Sequence, residues 1–185
     1  MQSNGSSGLL EPLTAAPNGL TPTANGGGPT GSTETWVLFT VDTQKYGLLI
    51  SEVLRILRAV EVKPLPQSPR HVLGIINMQG HILPVIDLRY CLGRPARAIH
   101  LEDHFIVARA STVTAVLPVD AALGSVAVID TTEAPGERTR DRYLRKIIPF
   151  GHEVISALDL ERLVFGDDSP EQSDLASALG TLERE

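Results

Sequence analysis

The 185-residue chain is 42% hydrophobic but only 4% aromatic, so one domain or two small lobes can close around an aliphatic core. Its formal charge of −6 lies outside residues 34–166, which sum to zero, and a neutral body gives no electrostatic ground for binding nucleic acid. No apolar run approaches the roughly 20 residues of a membrane-spanning helix, no secretory signal is evident, and the single cysteine, Cys91, excludes an intrachain disulfide, as suits a cytoplasmic protein.

Residues 1–33 are rich in Gly, Ser, Thr, Asn and Pro, with Glu11 as the one charge, and read as a disordered tail. The run Gly26 to Gly31 matches GxGxxG literally, but it lacks the preceding strand and following helix of a nucleotide site. The ordered body is expected over 34–166. It opens with two strands, Trp36 to Val41 and Tyr46 to Ile50, around the polar stretch Asp42 to Lys45. A short helix is predicted next, because Ile50, Val53, Leu54 and Leu57 fall at i, i+3, i+4 and i+7 behind a capping Ser51. Pro64, Pro66 and Pro69 then impose an extended, unpaired connection.

Two apolar strands, Val72 to Ile76 and Ile82 to Ile86, flank Asn77-Met78-Gln79-Gly80, where Gly80 can adopt the positive φ of a tight reversal. Pro84 has no amide hydrogen, so its strand is predicted to lie at an edge or carry a bulge. Asp87 can cap a helix over Leu88 to Leu92 that ends at Gly93. Strands are expected at Phe105 to Ala108, Thr112 to Val119 and Val126 to Ile129, then a polar loop over Thr131 to Asp141. The order strand, Gly-His turn, strand, capping Asp and helix returns in Ile147-Ile148, Gly151-His152, Val154 to Leu158, Asp159 and Glu161 to Phe165. It points to one unit used twice and hence to two similar lobes. Short, closely spaced strands with brief helices indicate barrels or a sandwich, not a parallel sheet. Beyond Asp167, Leu175, Ala178, Leu179 and Leu182 form a narrow stripe on a short acidic helix or tail.

Residues with chemical potential read more simply as structure. His100 to His104 lacks the order of a zinc-binding HExxH, and Arg138 to Lys146 reads as a solvated basic loop feeding a strand. Cys91 reads as a small buried hydrophobe. No nucleophile elbow or phosphate loop appears, so neither catalysis nor a cofactor is expected.

Tyr46-Gly47, the segment around Val53, and Asn77-Met78-Gln79-Gly80 followed by Ile82 to Arg89 resemble the CheW family of chemotaxis coupling proteins, over roughly residues 35–166. The resemblance implies a mainly β fold of two small five-stranded, SH3-like barrels sharing an apolar seam. It also implies a non-catalytic adaptor that bridges the cytoplasmic tip of a chemoreceptor and the regulatory domain of a CheA-type histidine kinase, at membrane-associated receptor arrays. The partner-binding set it implies is Arg55, Ile56, Leu57, Asn77, Gln79, Gly80 and Arg89, with Tyr46, Gly47, Pro84 and Asp87 as structural motif positions. Ile56, off the predicted helical stripe, is the better groove residue. This chain departs from the family pattern at Gln79, where an arginine is usual, and at Arg55-Ile56-Leu57, where Glu-Ile-Arg is usual. A cation where a carboxylate is usual changes partner choice. A specialised coupling protein or scaffold of a non-flagellar chemosensory system is therefore the main alternative. A ligand- or nucleic-acid-binding β-barrel is a lesser one.

Overall fold

The computed structural model describes residues 33–129 and 142–166. In chain order they form β1 (Thr33–Val41), β2 (Gln44–Leu49), β3 (Val53–Arg58), β4 (Val72–Met78), β5 (His81–Ile86), α1 (Leu88–Cys91), β6 (His104–Arg109), β7 (Thr114–Val119), β8 (Ala121–Ile129), β9 (Leu144–Phe150), β10 (Glu153–Leu158) and α2 (Leu160–Phe165). The strands make two five-stranded sheets, ordered β8-β1-β2-β10-β9 and β3-β6-β7-β5-β4. The fold is mainly β, with short helices, as the sequence indicates.

Period-two side-chain alternation explains how the lobes join. In β1, Trp36 and Leu38 enter the core of the first lobe, while Phe39 and Val41 enter a shared seam. In β6, Phe105 and Val107 fill the second lobe, while Ile106 and Ala108 face the seam. The same division recurs in β7, with Val116 in the lobe and Leu117 and Val119 in the seam. Strands buried on both faces are apolar almost without interruption, which is why these segments read as runs. The outer strands of each sheet feed one core: Val126 from β8 joins Ile148 from β9, and Leu57 from β3 joins Ile76 from β4. Each sheet is therefore curled.

The repeated unit is present in both lobes. Asp87 caps α1 by accepting from the Tyr90 amide at 3.0 Å, and Asp159 caps α2 by accepting from the Arg162 amide at 3.2 Å. The preceding hairpins turn on Gly80 and Gly151, at φ 89° and 63°. Both helices lay leucines into the seam, Leu88 from α1 and Leu160 and Leu163 from α2.

Three expectations are corrected. Residues 50–57 are not a helix: a single 3-10 turn over Ile50–Glu52 leads into β3, which pairs with β6. The apolar spacing there is not a buried stripe, since Ile50 and Leu54 are 47% and 53% exposed. Only Val53 and Leu57 pack inward, toward different cores on either side of an irregularity in the strand. The strand containing Pro84 is neither at an edge nor bulged. It lies between β4 and β7, but pairs with β7 only at Val85↔Val116, and the bulge sits opposite, between Val72 and Gly74 of β4. Ile75, opposite Pro84, directs its amide and carbonyl to Lys63, so the ladder asks no hydrogen bond of Pro84 on that side. Finally, β7 starts at Thr114 and β8 at Ala121. The N-terminal tail with its glycine run, the polar loop and the C-terminal acidic segment lie outside the described residues, apart from Thr33, which opens β1.

Candidate functional site

The β4–β5 reversal holds two consecutive residues at positive φ, Gln79 at 54° and Gly80 at 89°, the signature of a type I′ two-residue hairpin. Glycine occupies this region without strain; for Gln79 it costs on the order of 1 kcal/mol. Asn77 offsets that cost, its Oδ1 accepting from the Gly80 amide at 2.9 Å. The Asn77 side chain therefore serves the turn, and Gln79 projects from its tip into solvent without a hydrogen bond to any described residue.

Between this tip and β3 runs a groove of about 550 Å³. Arg55 comes to it from β3, Gln79 and His81 from the hairpin, and Arg109 from the end of β6; Leu54, Met78, Leu83, Pro84 and Val107 supply its apolar lining. Arg55 and Gln79, 24 positions apart in sequence, thus meet at one site because β3 and β4 close the same curled sheet. Among the described residues, Arg55 makes no ion pair, Arg109 makes only a long 3.5 Å contact from Nε to Thr114, and no aspartate or glutamate lines the groove. Two uncompensated guanidinium groups over an apolar floor favour a partner that presents carboxylates beside apolar side chains. Ile56 is exposed but lies outside this lining, and Leu57 packs into the core of the second lobe.

The model of the CheW-like domain matches residues 35–166. The chain belongs to that family. Aligned segments are 28% identical over 71 residues to the chemotaxis protein CheW of Helicobacter pylori and 31% over 99 residues to that of Rhizobium meliloti, 38% and 54% of this chain. The chain spans 43% and 64% of the lengths of those two relatives. The solved scaffolding protein TtCheW from Thermoanaerobacter tengcongensis is similar in structure, with a TM-score of 0.67 at 27% identity, covering 74% of this chain and 95% of that one.

Elsewhere in this CheW-like domain, Arg89 serves a different purpose from the groove residues. Its guanidinium donates to both oxygens of Asp120 at 2.7 Å, and only 14% of its side chain is exposed. Asp120 also accepts from Arg97 at 2.5 Å and from the Asp42 amide at 2.6 Å, while Arg97 reaches Asp103 at 2.9 Å. This network ties the β1–β2 turn of the first lobe to α1 and the 94–103 connection of the second. Partial burial pushes the Asp120 and Asp103 carboxyls up. The hydrogen bonds from Arg89 and Arg97, with backbone amides, outweigh that, and both sit below the ordinary aspartate value. Asp120→Ala is expected to cost about 2 kcal/mol in urea unfolding, since it strands the largely buried Arg89 guanidinium and leaves Arg97 with Asp103 as its remaining carboxylate among the described residues. A depressed folded-state pKa gives stability that is present above the unfolded value and lost as pH falls through the folded one. The acid-induced loss below about pH 4 should accordingly be smaller in Asp120→Ala than in wild type.

Tyr46 and Gly47 are interior. Tyr46 packs in the seam beside Phe39 and accepts from Arg94 at 3.1 and 3.2 Å, while a Cβ on Gly47 would come 3.3 Å from Ile155. Burial pushes the Cys91 thiol up to about 12, so it is not a thiolate at neutral pH. The 3-10 turn is tied to β9 by Glu52, which meets Arg145 at 3.1 Å. Sequence reasoning missed Arg109, which has no local signal, and Gly74, whose place inside an apolar strand is itself the mark of a bulge or a close backbone approach.

Proposed function

We propose that this CheW-like domain is a non-catalytic adaptor that couples chemoreceptors to a CheA-type histidine kinase, and that the groove between β3 and the β4–β5 tip is where one of those partners docks. The observation carrying this is the convergence of Arg55 and Gln79, both without a partner among the described residues, on one open cleft beside exposed Leu54. A side chain kept exposed on an apolar floor, with a strained turn behind it, is costly to the fold and useful to a partner. No helix among the described residues is long and apolar enough to cross a membrane.

A second reading is favoured by the charges themselves. With Arg55 where the family pattern has glutamate and Gln79 where it has arginine, the groove carries the opposite sign at one end. Such an inversion selects a dedicated receptor or kinase, as in a non-flagellar chemosensory system. Calorimetric titration with a kinase regulatory domain and with a receptor cytoplasmic tip, both from the same cell, tests both readings. Dissociation constants of tens of micromolar or tighter are expected for at least one of them, about −6 kcal/mol or better. Neither partner binding at several hundred micromolar would sink the adaptor assignment.

A further inference from the structure

The groove has no described residue to neutralise it, yet the chain itself carries a segment of complementary composition. Residues 167–185 hold Asp167, Asp168, Glu171, Asp174, Glu183 and Glu185 against Arg184 alone, while Leu175, Ala178, Leu179 and Leu182 recur at helical spacing. Acid and leucine are the chemistry that an Arg55–Arg109 cleft floored by Leu54, Met78 and Leu83 would take.

The path of the chain puts this segment within reach. It begins where α2 ends, at Gly166, and α2 is fastened beside the groove. Glu161 of α2 accepts from both the amide and the hydroxyl of Ser111 at 2.5 Å. Ser111 adjoins Thr112 and Val113, which line the groove. Leu160, Leu163 and Val164 anchor α2 in the seam, so the departure point of the chain is fixed. The eight residues 167–174 can extend about 27 Å, enough to cross one small lobe before the leucines begin. We propose that residues 167–185 fold back over the groove and compete with the outside partner for it. This rests on the docking role assigned to the groove above.

A tethered segment of this length faces its site at an effective concentration on the order of 1 mM. Intrinsic binding of a few hundred micromolar would then weaken an outside ligand severalfold without blocking it, as a tunable brake requires. The test uses the full chain and the variant Asp167→Asn, Asp168→Asn, Glu171→Gln, Asp174→Asn, which leaves the described body untouched. In amide NMR spectra, Arg55, Gln79, Arg109 and Thr112 are expected to shift between the two proteins. The same amides should move when the wild type is taken to 0.5 M salt. Groove amides identical in both comparisons would overturn the proposal, as would shifts that grow with protein concentration, since the segment would then come from a second copy. The variant should also bind the kinase regulatory domain or the receptor tip about 3- to 10-fold more tightly. If either partner binds and the groove amides ignore the acidic segment, the self-docking alone falls. If the amides respond but neither partner binds, the adaptor role falls and the self-docking stands.

Discussion

Gly74→Ala is expected to remove a large share of the protein's stability, at least about 3 kcal/mol of the 5–15 typical of a domain. Gly74 sits at φ 154°, and a Cβ built there lies 2.2 Å from the carbonyl oxygen of Lys63. That oxygen accepts from Ile75 at 2.8 Å, and the Lys63 amide donates back to Ile75 at 2.9 Å. This isolated bridge staples the start of the proline-containing connection to the edge of β4. Neither backbone can move aside without losing both hydrogen bonds, so strain and unpaired amides add. Gly80→Ala supplies the control. Its φ is also positive, but nothing lies within 4 Å of the added carbon, and a cost of only about 1 kcal/mol is expected. Urea denaturation of the two variants checks the contrast, and equal midpoints would refute the close approach at Lys63.

The second large effect concerns recognition. Arg55→Glu combined with Gln79→Arg should lower affinity for the native partner by about 10- to 100-fold, or roughly 1.4 to 2.8 kcal/mol. It should raise affinity for a kinase or receptor that matches the usual family pattern. Both side chains are exposed and hold no described residue, so thermal stability should stay within about 0.5 kcal/mol of wild type. Titration calorimetry against both kinds of partner reads the exchange. A loss against the native partner with no gain elsewhere would mean that the two positions do not set partner choice.

Much of the architecture is legible in the sequence because it rests on local chemistry. A polar turn between branched runs yields β1–β2, Asn77 and Gly80 make a two-residue reversal, and Asp87 and Asp159 each cap a short helix. The failure at residues 50–57 has a physical cause. Leu54 is apolar because it lines the groove and not because it is buried, and together with exposed Ile50 it completes a false helical period. What decides for strand is β6, whose open edge needs a partner and finds it in Arg55 to Arg58, pairing that no local window contains. Arg89 shows the converse: in sequence it follows the family-like strand, and in space it is held by Asp120, 31 residues away. Isolated side chains announce their chemistry, whereas which ones remain unspent depends on the closed sheet.

The chain order of the lobes bears on how the protein is made. The second lobe, β3 to β7, is continuous in sequence, but the first takes β1 and β2 from one end of the body and β8 to β10 from the other. Only when β10 appears does Tyr46 acquire Ser156 as its parallel neighbour and Trp36 gain Ile155 as a cover. At ribosomal speeds of about 5–20 residues per second, the β1–β2 hairpin waits on the order of 5–20 s with its tryptophan face uncovered. During translation the later half of the chain must therefore return to an earlier segment that is already vulnerable to aggregation, with the continuous lobe serving as the platform on which the wait is spent.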